Sequence, residues 1–136
     1  MSVIVMGTVA LDNIKTPSGD KKELLGGSAA HFSMSARLFT DVHLVGIIGE
    51  DFPRKHIKFL KDRNIDIASL ITRSGKSFQW HGEYKGDDFN TAITKATELG
   101  VLLNYAPQVA SHQRALPNIF LANIDPEVQM AMLGLM

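Results

Sequence analysis

Short apolar runs alternate with amphipathic stretches through the first half of the chain. Val3-Ile4-Val5-Met6 is a continuous apolar run closed by Gly7, the pattern of a strand covered on both faces. Thr8 to Ile14 and Lys21 to Leu25 flank the turn-rich Thr16-Pro17-Ser18-Gly19-Asp20 and read as two arms of a hairpin. From Ser28 to Phe39 the apolar residues Ala29, Phe32, Ala36 and Phe39 recur at helical spacing. Ser28 is placed to receive the free amides of that helix's first turn. Val42 to Ile48 reads as a second buried strand, and Pro53 opens a helix to about Asn64, with Ile57, Phe59 and Leu60 as its apolar residues. This order of strand, helix, strand and helix predicts a parallel sheet with right-handed crossovers.

The pattern then changes. Ile67 to Thr72, Phe78 to Tyr84 and Thr91 to Thr97 are short β-rich stretches, separated by Ser74-Gly75-Lys76 and Gly86-Asp87-Asp88. They read as antiparallel and half buried, although Thr91 to Thr97 alternates so weakly that a helix fits it too. An irregular stretch runs through Pro107 and Pro117. Asn118 to Ala122 then resumes the buried-strand pattern, and Asp125-Pro126 opens a terminal helix that the aspartate can cap. The expected architecture is α/β: a parallel sheet with flanking helices and an antiparallel β lid from about residues 8–25 and 67–104.

In open α/β sheets, ligands bind beyond the carboxyl ends of the parallel strands. Asp12, Gly26-Gly27 and Asn123 each follow a predicted strand and are expected to converge there. The glycine pair carries no Cβ, so its backbone can lie against a ligand. The helix behind it aims unpaired N–H groups at whatever sits in front of the turn.

Composition narrows the function classes. At 136 residues the chain holds one ordinary core and hardly two. Fourteen acidic and fourteen basic residues give a net charge of zero, with no basic tract of the kind that neutralises several phosphates. That argues against a nucleic-acid partner. The absence of cysteine excludes disulfides and thiol chemistry and fits a cytoplasmic setting. The apolar N-terminal run is too short to span a bilayer, so no membrane partner is expected. Val128 to Met136 stops within an amphipathic pattern without a polar tail, an ending that fits a terminal helix of a complete unit and a fragment of a longer chain alike. His43, His56, His81 and His112 show no metal-ligand spacing in sequence, so no metal site is expected.

Three features together carry a family resemblance: Gly7 with Asp12, Gly26-Gly27 followed by His31, and Gly46-x-x-Gly49-x-Asp51. In order and spacing the chain resembles the N-terminal part of PfkB (ribokinase-like) carbohydrate and nucleoside kinases over residues 1–136. The resemblance implies a phosphotransferase that uses ATP and Mg2+ to phosphorylate a sugar hydroxyl. It assigns substrate contact to Asp12, Gly26, Gly27 and the position of His31. It makes the β lid a cover for the substrate and an interface for a homodimer. His31 stands where the family usually has asparagine; neutral imidazole also offers one donor and one acceptor, in a bulkier ring.

The glycine-alanine-glycine-aspartate motif that carries the family's catalytic base is absent from these 136 residues. The expectation is therefore the substrate-binding half of a sugar kinase, inactive by itself, with no catalytic residue of its own. A nucleoside kinase of the same fold is the alternative, and a non-catalytic binding or oligomerisation module is a reading from another class. Trp80, the only tryptophan, reads either as a stacking platform for the substrate or as a buried lid residue. Asn123 reads as a substrate contact or as a cap of the last helix. Gly46 and Gly49 read as backbone devices, Asp51 as a cap of the Pro53 helix, and Gly75-Lys76-Ser77 as a turn.

Overall fold

The two apolar runs pair directly at the centre of a sheet. Strand β1 (Ser2–Met6) lies parallel to β4 (Asp41–Gly49), with Ile4 opposite His43 and Met6 opposite Val45. Strands β5 (Asp66–Arg73) and β8 (Ile119–Leu121) complete the order β5-β4-β1-β8, and every pairing is parallel. The structure is a computed structural model that describes all residues 1–136.

Both faces of this sheet are covered, which is why its central strands are apolar throughout. On one face, helices α1 (Ser28–Ala36) and α2 (Arg54–Asp62) pack over Val5, Val42 and Leu44, with Leu60 of α2 fully buried. On the other, Ile4, Met6, Val45 and Ile47 meet Met132 of helix α3 (Pro126–Leu133) and, from the connection before β8, Val101, Tyr105 and Val109. Asp125 caps α3 as expected, accepting from the Glu127 N–H at 2.9 Å. Helix α2 ends in a Schellman motif: Asn64 has φ 58°, Ile65 N–H donates to Leu60 O, and Asn64 N–H donates to Lys61 O. Helix α1 ends at Ala36, short of the predicted Phe39, whose side chain is 87% exposed beyond the reach of the core.

A second sheet stands on the carboxyl side of β1. It contains β2 (Ala10–Thr16), β3 (Gly19–Gly26), β6 (Gln79–Glu83) and β7 (Ile93–Glu98) in the order β3-β2-β6-β7. Two antiparallel hairpins, β2–β3 and β6–β7, are joined by a parallel pairing of β2 with β6. The lid is therefore mixed rather than antiparallel throughout. Of the Thr91 to Thr97 stretch, the residues from Ile93 onward form strand β7, not a helix.

Strand β5 also departs from expectation, because it is the edge of the parallel sheet and not part of the lid. Its alternation mimics a half-solvated strand because Ser69 is polar. That serine is only 2% exposed and is held by the Gln113 side chain and the Ala110 N–H. Asp51 does not cap α2: its Oδ1 accepts from both the Ser77 N–H and the Ser77 hydroxyl at 2.8 Å, and Pro53 stands at the helix start. The Ser77 hydroxyl oxygen in turn accepts from the Gly49 N–H at 2.9 Å. The Gly49-x-Asp51 segment thus locks the 74–77 turn onto the end of β4.

Candidate functional site

The lid leaves the parallel sheet at the carboxyl end of β1, where Ala10 of β2 pairs with Gly26 of β3. Asp12 sits two residues further out. A Cβ on Gly26 would stand 2.2 Å from Asp12 Oδ2, so the carboxylate lies directly on the glycine backbone and any side chain there would displace it. Gly27 has φ 97°, and a Cβ there would stand 2.3 Å from Thr8 O. Both conditions select glycine.

The helix that follows is less open than the sequence suggests. Thr8 Oγ1 accepts from Ser28 N–H at 2.9 Å, and Thr8 O accepts from Ala29 N–H at 3.0 Å. The first amides of α1 are thus taken by the β1–β2 junction and do not face a ligand. Ser28 does not cap its own helix: its hydroxyl lies 2.9 Å from Thr8 Oγ1 and donates to Asn123 O at 3.0 Å. This chain of bonds fastens the lid base, α1 and the end of β8 together. Thr8 gave no signal in sequence, because its partner Ser28 lies 20 residues away and Ser28 in turn reaches Asn123 across 95.

Trp80 of β6 is in register with Asp12, which places both on one face of the lid. Its indole Nε1–H donates to Thr94 Oγ1 at 3.1 Å, and its ring covers Gly82, where a Cβ would stand 1.9 Å from the ring. The half-buried indole therefore lies flat on the lid. Leu24, opposite Asp12 on β3, adds an exposed apolar side chain to this face. His31 is exposed in the first turn of α1. Burial pushes the Asp12 carboxyl above its ordinary value, and the His31 charge pulls back part of that rise. The Asn123 side chain is exposed, and only its carbonyl joins the junction.

No family model matches the chain. Over 98% of its length it is 27% identical to the cytidine kinase of Thermococcus kodakarensis, of which it spans 48%. The ribokinase of Cryptococcus neoformans, solved in complex with ADP, superimposes with a TM-score of 0.75 and 20% identity over 97% of this chain and 44% of that one. The nucleoside kinase of Methanocaldococcus jannaschii, an archaeal member of the ribokinase family, gives 0.69 and 18% over 98% of this chain and 48% of that one. The chain has the ribokinase-like fold. It spans about half the length of each of these kinases.

Within this ribokinase-like fold the lid face offers one hydroxyl acceptor, Asp12, between close backbone and two apolar side chains. That combination suits a small polyhydroxyl compound with an apolar portion. The same residues do not fit a nucleotide triphosphate. The leading amides of α1 are occupied, and the Gly75-Lys76-Ser77 turn has the Asp51 carboxylate where a phosphate would need N–H groups. No step involving ATP is assigned to these residues. The groups able to ligate a metal lie elsewhere, where His43, Asp66 and His112 meet at the amino-terminal end of β4 and β5. No helix is long and apolar enough to cross a membrane.

Proposed function

We propose that the lid face built on Asp12 binds the hydroxyls of a pentose-bearing substrate, and that this chain supplies the substrate-binding half of an ATP-dependent kinase. The seating of the Asp12 carboxylate on Gly26 carries this reading. It fixes an acceptor at the lid base that can take two neighbouring hydroxyls at once. The ionised carboxylate orients the substrate, while the Gly26-Gly27 backbone closes behind it. His31, exposed one turn along α1, supplies a second polar contact. ATP and Mg2+ are assigned to residues other than these 136.

A nucleoside is favoured over the free sugar expected from the family motifs alone. The cytidine kinase match runs over nearly the whole chain. Trp80 and Leu24 also give the lid an apolar area beside Asp12 that a base can cover and a free pentose cannot fill. Strand β7 is exposed along its whole length at the free edge of the lid, and it is the surface we assign to a homodimer contact. A cytoplasmic setting completes the proposal.

Calorimetric titration of the chain with cytidine and with ribose tests the reading. Cytidine binds, and Asp12→Ala weakens it by at least about tenfold, as loss of a charged hydrogen-bond acceptor does. Ribose binding as tightly as cytidine would replace the nucleoside by a sugar. Equal cytidine affinity in Asp12→Ala would remove Asp12 from the site. With ATP and Mg2+ added, the chain alone forms no phosphorylated product.

A further inference from the structure

We propose that His43, Asp66 and His112 form a binding site for a zinc-class divalent cation at the amino-terminal end of the parallel sheet, away from the lid. The three residues come from β4, from the start of β5 and from the short 3-10 helix Ser111–Gln113. His43 Nδ1 lies 3.1 Å and His112 Nε2 3.0 Å from the same Asp66 oxygen, Oδ2. All three donor atoms fall within 4.8 Å of one another. Ligands about 2.1 Å from a tetrahedral ion stand about 3.4 Å apart. The observed O···N spacings are within a few tenths of an ångström of that value. Exposed His112 can supply the small adjustment.

The surroundings hold this geometry as outer-shell partners of a metal site do. The other Asp66 oxygen, Oδ1, accepts from the Ala68 N–H at 2.9 Å, which leaves Oδ2 facing the two imidazoles. The Gln113 side chain is fully buried, with Nε2 3.2 Å from His43 Nδ1. This contact holds the Nδ1 edge of the His43 ring at the Asp66 carboxylate, and the amide gives way when Nδ1 takes an ion. Gln113 is held by the Ser69 hydroxyl, whose oxygen accepts from Ala110 N–H at 2.8 Å. Nδ1 and Oδ2 face each other at 3.1 Å, the distance of a hydrogen bond whose proton a bound cation displaces.

Two imidazoles and one carboxylate select Zn2+, Co2+ or Ni2+ over Mg2+ or Ca2+, which take oxygen ligands. The side chains of His43, Asp66 and His112 are 16%, 32% and 57% exposed, so one side of the site opens to solvent and leaves a position for water. The ion would staple the β4–β5 edge to the connection between lid and β8. Its effect falls on stability and not on the lid face.

The test uses the full chain without an affinity tag, treated with chelator and then titrated with Co2+ and Zn2+. One Co2+ per chain produces a visible ligand-field band that Zn2+ abolishes, and Zn2+ raises Tm. His112→Ala, an exposed change that leaves the metal-free Tm and circular dichroism unchanged, weakens Co2+ binding by more than about tenfold. Asp66→Asn does the same, while Mg2+ shifts nothing. Absence of the band and of the Zn2+ shift would overturn the site, as would equal Co2+ affinity in His112→Ala.

Discussion

Burial raises the proton affinity of the Asp12 carboxyl, so ionising it at neutral pH weakens the fold while preparing it to accept hydroxyls. The native state binds more protons than the unfolded chain between the ordinary aspartate pKa and the raised one, so stability falls as pH rises through that window. Asp12→Asn removes this penalty. Its Tm at pH 7 is expected to equal or exceed that of the parent, with the difference closing toward pH 4, and its affinity for nucleoside is expected to drop. Thermal melts across pH check the first point and calorimetry the second. Tyr105 illustrates a different residue-scale cost. Its hydroxyl is buried without a partner, and burial pushes the phenol pKa up. Tyr105→Phe keeps the ring against Val101 and Met132 and should stabilise the chain by roughly 1 kcal/mol in denaturant unfolding. The closeness of Asp12 to the glycine pair was expected in sequence from the family resemblance, since an aspartate after a strand by itself reads as a turn residue. Thr8 was not legible, since a threonine after a strand has no distinguishing type, and only the folded junction shows that it occupies the first α1 amides.

At the scale of elements, the long apolar runs of β1 and β4 fixed the sheet centre because both faces are covered. The edges were harder to read. A period-2 pattern tells which face is buried but not which way a neighbour runs, so the parallel pairing of β2 with β6 was hidden. Strand β5 was misplaced for a related reason: buried Ser69 looks like a solvent position until Gln113 is brought beneath it. Helix α2 depends on a single fully buried side chain, Leu60, so Leu60→Ala should cost about 2–5 kcal/mol in urea unfolding. The turn into α1 depends on Gly27. Gly27→Ala forces a Cβ onto Thr8 O at positive φ and should cost about 1–3 kcal/mol, while shifting the amide resonances of Ser28 and Ala29 that Thr8 now holds.

Across the whole molecule the two proposed sites stand at opposite ends of one parallel sheet. The carboxyl end carries the lid with Asp12, Trp80 and the glycine pair, and the amino-terminal end carries the His43–Asp66–His112 cluster. The second cluster was illegible in sequence because its residues are far apart along the chain and no local spacing links them. The β8 edge of the sheet is exposed, with Phe120 stacked on Phe32 at 3.8 Å and still 41% accessible. An edge of that kind favours association. The substrate reading is tested most directly by amide chemical-shift mapping of the labelled chain titrated with cytidine. Binding by the lid face requires shifts that concentrate on residues 10–31 and 79–97, saturate, and vanish in Asp12→Asn. Saturable shifts that persist in Asp12→Asn, or that fall on the β4–β5 edge around His43 instead, would contradict it.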